Sequence, residues 1–178
     1  GGPGTGKSTI TKVVLDICLE TTDSIILAAP TGRAAKRLSE ITKREAKTIH
    51  SLLTFDFVTR YFRKNKYDQL DCEVLIIDEA SMIDAFLMSA LLKAIPDNCK
   101  VILVGDVDQL PSVGAGNVLN DLIQSDQVPV TRLTEIFRQA INSQIVIKAH
   151  KINQGIFPNI TTEKDSDFFF MTERKPER

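Results

Sequence analysis

Short apolar runs alternate with amphipathic stretches along most of this chain. Ile25–Ala29, Val74–Ile77 and residues 101–104 are unbroken apolar runs, as expected of parallel strands covered on both faces. Residues 128–133 read as a further strand. Between them, residues 7–20, 32–45, 85–95 and 116–125 carry helical spacing. In the first helix, Ile10, Val13, Val14, Ile17 and Cys18 recur at i, i+3, i+4, i+7 and i+8, which predicts a single buried face. The alternation is that of βαβ units, so the expected fold is α/β. Right-handed crossovers would gather the loops after each strand on one edge of the sheet, where such folds bind ligands.

The pattern weakens after about residue 140. Residues 141–153 read as a helix closed by Gly155, Phe168-Phe169-Phe170 as a buried strand, and 172–178 as a solvated tail. The expected organisation is one lobe over residues 1–155, lacking its first strand, and the truncated start of a second over 156–178. The chain opens on Gly1 inside a motif, so the strand that should feed that motif is expected upstream of it.

Composition removes several classes. With 178 residues, 43% hydrophobic and 25% charged, the chain can bury a real core. No apolar run approaches the roughly 20 residues of a membrane span, so no membrane association is expected. Cys18, Cys72 and Cys99 lack metal-ligand spacing and read as buried, reduced thiols of a cytoplasmic protein.

Charge changes the picture further. The net charge of −1 conceals a basic block over residues 31–67, with ten Lys and Arg against three acids. An acidic block over 68–135 follows, with twelve acids and three bases. The basic block interleaves Phe55, Phe57, Tyr61, Phe62 and Tyr67. Two readings fit: a solvated surface, or a nucleic-acid face where cations meet phosphate and rings stack on bases.

The strongest chemical signal is Gly1-Gly2-Pro3-Gly4-Thr5-Gly6-Lys7-Ser8, which satisfies G-x-x-x-x-G-K-[ST]. Glycines allow successive backbone N–H groups to turn onto phosphate oxygens, and the helix that follows offers its positive N-terminus to the same anion. Gly2, Pro3, Gly4, Thr5, Gly6, Lys7, Ser8 and Thr9 are therefore candidate nucleotide-binding residues. Lys7 is expected to reach the β- and γ-phosphates, and Ser8 to offer its hydroxyl to Mg²⁺.

Two later loops complete the candidate site. The strand at 74–77 ends in Asp78-Glu79. At that edge Asp78 would face the same Mg²⁺, and Glu79 would orient and deprotonate the attacking water. A plain helix cap would also place acids there. The next strand leads into Gly105-Asp106-Val107-Asp108-Gln109-Leu110-Pro111, where Gln109 could touch the γ-phosphate or the water, and an ordinary Asp-rich turn is the alternative. A loop that feels the γ-phosphate can change shape on hydrolysis.

In this order the motifs resemble the RecD-like branch of superfamily 1 DNA helicases, the group of exodeoxyribonuclease V alpha-chain and TraA-type proteins. Gly1 to Thr9 looks like motif I. Ala29-Pro30-Thr31-Gly32-Arg33-Ala34-Ala35-Lys36-Arg37-Leu38 looks like motif Ia, and Thr48-Ile49-His50-Ser51-Leu52-Leu53 like the DNA-contacting segment after it. Residues 75–84 resemble motif II, 102–123 motif III, and Leu133-Thr134-Glu135-Ile136-Phe137-Arg138-Gln139-Ala140 motif IV. The resemblance implies a P-loop NTPase (RecA-like) parallel sheet with helices on both faces. It implies an ATP-dependent motor on single-stranded DNA, moving 5′ to 3′, with ATP and Mg²⁺ as cofactors. It assigns Lys7, Glu79, Gln109 and Arg138 to catalysis, Ser8 and Asp78 to the metal, and Pro30, Thr31, Arg33 and His50 to DNA. Partners implied are single-stranded DNA and the subunits of a nuclease complex or other DNA-repair proteins. The branch's adenine-reading region and its motifs V and VI are expected outside residues 1–178, so this stretch alone is expected not to unwind DNA. The rival readings are another P-loop ATPase of AAA+ type and a phosphate-binding module without turnover.

Overall fold

A strand that is apolar on both faces must be covered by helices on each side, and β1 (Ile25–Ala29) and β5 (Val74–Ile77) meet that condition at the centre of a four-stranded sheet. The computed structural model describes residues 1–135, 143–158 and 167–168. These divide into two compact units, Gly1 with Lys7–Arg132, and Gly2–Gly6 with the residues from Leu133 onward.

The first unit runs α1 (Lys7–Leu19), β1, α2 (Gly32–Thr42), β2 (Ala46–Thr48), α3 (Ile49–Leu52), β3 (Phe55–Asp56), β4 (Tyr61–Phe62), β5, a 3-10 turn (Ala80–Met82), α4 (Ala85–Ala94), β6 (Lys100–Leu103) and α5 (Val118–Gln124). The main sheet has the order β2-β1-β5-β6 and every pairing is parallel. Ile25 pairs with Val74 and Val74 with Lys100, so the three strands run in register and end on one edge. β3 and β4 form a separate antiparallel hairpin, pairing Phe55 with Phe62 and Asp56 with Tyr61.

The two-residue period of a strand sorts the core into two layers. Leu27, Val74 and Ile76 pack with Leu15 of α1 and Leu38 of α2. Ala28, Leu75 and Ile77 point the other way, onto Ile49, Leu53, Leu87, Leu91 and Leu119. Leu75, Ile76 and Ile77 are fully buried, and burying one such side chain contributes about 1.5–3 kcal/mol.

Local chemistry sets the helix ends. The Thr31 hydroxyl accepts from the Ala34 N–H at 3.2 Å and caps α2. α2 closes when Lys43 adopts φ 58° and donates its N–H to the Ser39 carbonyl. That stop falls before residue 45 and leaves Ala46–Thr48 free to pair with β1 as a strand the hydrophobic pattern did not mark. Asp84 caps α4, its Oδ1 accepting from the Leu87 N–H at 2.7 Å.

Several expectations are corrected. Residues 128–133 form no strand: Pro129 removes a ladder donor, and no neighbouring chain pairs with the segment among the described residues. The buried face of α1 is rotated from the predicted one. Thr11 and Leu15 are its buried residues, with Val14, Cys18 and Leu19 packed alongside, whereas Ile10, Val13 and Ile17 are 41%, 46% and 59% exposed. Of the cysteines only Cys72 is buried; Cys18 and Cys99 are half-buried, and all three are free thiols. β6 is also more open than a central strand, with Lys100 and Val101 exposed on the outer edge of the sheet.

The second unit contains Gly2–Gly6 and α6 (Gln144–Asn153). Ser143 caps α6 by accepting from the Val146 N–H at 3.3 Å and donates its hydroxyl to Asp167 Oδ2 at 2.6 Å. Gly155, at φ 75°, follows the helix end as expected. Phe168 is half-buried and not in a strand, and Phe169 and Phe170 lie outside the described residues.

Candidate functional site

The loops after β5 and β6 are tied together at the sheet edge. The Ala80 N–H donates to the Val104 carbonyl at 2.9 Å, and the Val104 N–H to the Ile77 carbonyl at 2.8 Å. Asp78, at the end of the central strand, is 7% exposed; its backbone N–H continues the ladder to Ala28, and its Oδ1 accepts from the Glu79 N–H at 2.9 Å.

Glu79 stands in an unusual backbone state, left-handed at φ 53°, without the glycine that region favours. Its Oε2 is buried and has no hydrogen-bond partner among the described residues. Burial raises the Glu79 carboxyl above its ordinary value of 4.5, and the neighbouring Asp78 charge adds to the rise; Lys7 and Arg37 pull the other way. A carboxyl lifted towards neutrality with a free acceptor oxygen is what a general base needs. A simple helix cap would have its oxygens occupied.

Asp106 organises the loop after β6. It is 1% exposed. Lys7 Nζ lies 3.5 Å from its Oδ2, and Gln109 Nε2 donates to the same oxygen at 3.3 Å. The Asp108 N–H donates to its other oxygen at 3.2 Å. Lys7 Nζ also donates to the Gly1 carbonyl at 2.7 Å. Lys7 and Gln109, 102 positions apart by number, thus meet on one carboxylate. In the sequence Asp106 stands in an Asp-rich turn of the stretch that resembles motif III, with no role assigned to it. Its burial, which makes it the anchor, has no signature in the residue pattern.

Lys7 and Ser8 open α1, and the Thr11 hydroxyl donates to the Lys7 carbonyl at 2.9 Å. Thr9 is exposed. In the second unit, Gly4 and Gly6 adopt φ 76° and 80°, the left-handed turns expected of a loop that points its N–H groups at an anion. Thr5 is buried and donates its hydroxyl to the Gly2 carbonyl at 2.8 Å, closing the loop on itself. Among oxygen donors, the Ser8 hydroxyl and the Asp78 carboxylate are hard ligands of the kind Mg²⁺ takes.

The residues expected at DNA lie near the start of α2 and around the hairpin. Pro30 is half-buried, Arg33 is exposed, and Thr31 spends its hydroxyl on the cap of α2. His50 is exposed, with its ring 5.5 Å from Phe55 and 5.6 Å from Phe62. Phe57 in the hairpin turn is 82% exposed and Tyr67, beyond the hairpin, 86%, in a stretch that also carries Arg60, Arg63 and Lys66, the last with its Nζ 4.7 Å from the Tyr67 ring centroid. Asp56 fixes its turn by accepting from the Val58 and Thr59 N–H groups, which holds the Asp56 carboxyl below its usual range. Arg138 lies outside the described residues.

Residues 1–115 match a protein-family model described as "AAA domain". The chain is 45% identical over 158 residues to the ATP-dependent RecD2 DNA helicase of Deinococcus radiodurans, covering 89% of this chain and 22% of that protein. It is 39% identical over 148 residues to the RecBCD enzyme subunit RecD of Haemophilus influenzae, covering 70% of this chain and 23% of that one. The chain therefore spans under a quarter of the length of these relatives. Among solved structures, that of Bacteroides Pif1 bound to ssDNA superposes with a TM-score of 0.53 at 28% identity, over 83% of this chain and 41% of that one. The parallel sheet with flanking helices is thus the α/β fold of a P-loop NTPase, and the RecD-like resemblance read from the motifs holds.

Proposed function

The chain belongs to the AAA domain family that its residues 1–115 match, and we propose that it is the ATP-binding motor lobe of a RecD-like DNA helicase. The observation that carries this reading is the meeting of Lys7 and Gln109 on Asp106, on the same sheet edge as Asp78 and the buried Glu79 oxygen that has no hydrogen-bond partner among the described residues. A lysine from the phosphate loop, a polar sensor and a raised carboxylate are the parts that phosphoryl transfer to water requires.

In this mechanism Gly2, Gly4, Thr5 and Gly6 present backbone N–H groups to the phosphates and Pro3, which has no N–H, stiffens the turn between them, with Ser8 and Thr9 at the helix start that follows. Lys7 leaves Asp106 for the terminal phosphate and neutralises charge as it develops. Ser8 and Asp78 would hold Mg²⁺, which supplies further neutralisation at the phosphate oxygens. Glu79 accepts the proton of the attacking water, and Gln109 orients that water or senses the γ-phosphate. Arg138 adds a cation to the same phosphate. Because Gln109 and Lys7 share one anchor, loss of the γ-phosphate returns both to Asp106 and moves the loop after β6.

The output of that motion is translocation on single-stranded DNA, 5′ to 3′. Pro30, Thr31, Arg33 and His50 contact the strand, and the basic, aromatic hairpin lies next to His50 in sequence and in ring contact with it. Bacteroides Pif1, of similar fold, has been captured with single-stranded DNA. Residues 1–155 form lobe 1A and 156–178 begin the second lobe. The protein works in the cytoplasm, alone or as a subunit of a DNA-repair nuclease complex. No helix among the described residues is long and apolar enough to cross a membrane.

The test is steady-state ATP hydrolysis by the purified protein with and without single-stranded DNA. The expected result is hydrolysis that rises with the strand and is lost in Lys7→Ala. Hydrolysis indifferent to the strand would overturn the DNA-motor reading.

A further inference from the structure

The phosphate-loop pattern fixes positions 1, 6, 7 and 8 of this sequence and leaves position 2 open to any residue. Glycine nevertheless stands there, and the backbone does not explain it. Gly4 and Gly6 are in the left-handed region, whereas Gly2 is not among the residues at positive φ. The explanation is spatial. A Cβ on Gly2 would lie 2.7 Å from Cε1 of His150, 3.4 Å from its Nε2 and 3.5 Å from its Nδ1. Real Cβ atoms do not approach a ring carbon so closely, so any larger residue must displace the imidazole.

The same ring is bonded to the next residue. His150 Nε2 lies 3.0 Å from the Pro3 carbonyl oxygen. A carbonyl can only accept, so Nε2 carries the proton and donates. The ring belongs to the last turn of α6, a helix whose N-terminus is pinned by Ser143 and by Asp167, the latter also accepting from the Gln144 N–H at 2.7 Å. Turning the Pro3 carbonyl outward onto an imidazole keeps it from facing a bound anion.

We infer that His150 is a positioning residue of the phosphate loop, holding Gly2 and Pro3 in their anion-binding arrangement from a helix 147 residues away in the chain. The inference rests on the nucleotide reading above. It adds a residue that no phosphate-loop pattern contains and gives Gly2 its reason.

The test is the affinity of the purified protein for a fluorescent ATP analogue with Mg²⁺, measured well below the melting temperature. His150→Ala should weaken binding roughly three- to ten-fold, the worth of one hydrogen bond. His150→Gln, which keeps a donor of similar reach, should recover most of that loss. Gly2→Ala alone should weaken binding at least as much, because its methyl group evicts the ring. In the His150→Ala background the added methyl has room, so the double variant should bind no worse than His150→Ala alone. Wild-type affinity in His150→Ala, or losses that simply add in the double variant, would overturn the inference. Lys7→Ala separates the two levels. If it abolishes binding while His150→Ala changes nothing, this inference fails alone; if Lys7→Ala binds normally, the nucleotide reading fails first.

Discussion

Lys7 Nζ and Asp106 Oδ2 lie 3.5 Å apart, with the lysine side chain 15% and the aspartate 1% exposed. The buried carboxylate thus holds the lysine that the proposed mechanism sends to a phosphate, and it also receives Gln109 and the Asp108 N–H. Truncation to Asp106→Ala strands those donors around a small void. The expected cost is about 1–3 kcal/mol of stability, read by urea denaturation, with ATP turnover falling because Gln109 loses its anchor. Full turnover in a stably folded Asp106→Ala would contradict the role of Asp106.

In the proposed mechanism Glu79 joins catalysis and stability with opposite signs. Its carboxyl is raised in the folded protein by burial and by Asp78. Such a group favours folding while protonated, and that contribution is lost as pH rises from 4.5 through the higher folded value. At neutral pH the ionised Glu79 therefore weighs against the fold. Glu79→Gln should raise the melting temperature at pH 7 to 8 and lose that advantage near pH 4. It should retain nucleotide binding and lose on the order of 10²-fold or more in turnover, the usual worth of a general base. Thermal scans at both pH values, run beside single-turnover hydrolysis, check the pair of effects. A neutral-pH melting temperature equal to or below wild type would refute the stability half.

The hairpin makes a prediction of a different kind. Phe57 is 82% exposed, so its loss should leave the melting temperature almost unchanged. Base stacking on an aromatic ring is worth about 1–3 kcal/mol, so Phe57→Ala should weaken binding of an oligothymidine strand by roughly ten-fold. Arg60→Ala should instead lower the dependence of log affinity on log salt by about one. Fluorescence anisotropy titrations at several salt concentrations distinguish the two effects. Unchanged affinity in both variants would remove the hairpin from the DNA face.

How far these features were legible in the residues depends on whether they are local. β1 and β5 were read at their observed limits because a strand covered on both faces leaves an unbroken apolar run. β2 was missed: Ala46-Lys47-Thr48 has no such run, and it is a strand because β1 offers an edge for it to pair with. The reverse error befell residues 128–133, where an apolar run finds no partner. On α1, apolar residues at Ile10, Val13 and Ile17 suggest one face, while the sheet packs on Leu15 and the other buried residue is Thr11. Lys7, Asp78, Glu79 and Gln109 could be picked out because their spacing to glycines and strand ends is fixed. Asp106 and His150 could not, since burial and contacts across some hundred residues or more leave no mark on the local pattern.

Where Lys7 goes when a triphosphate arrives decides whether this site is an ATP site. A crystal structure of the protein with Mg²⁺ and a non-hydrolysable ATP analogue measures it directly. The account predicts Lys7 Nζ drawn off Asp106 onto the terminal phosphate, with Gln109 and Glu79 within reach of the γ-phosphorus. A bound analogue with Lys7 still on Asp106, or an analogue held away from Asp78 and Gln109, would contradict it.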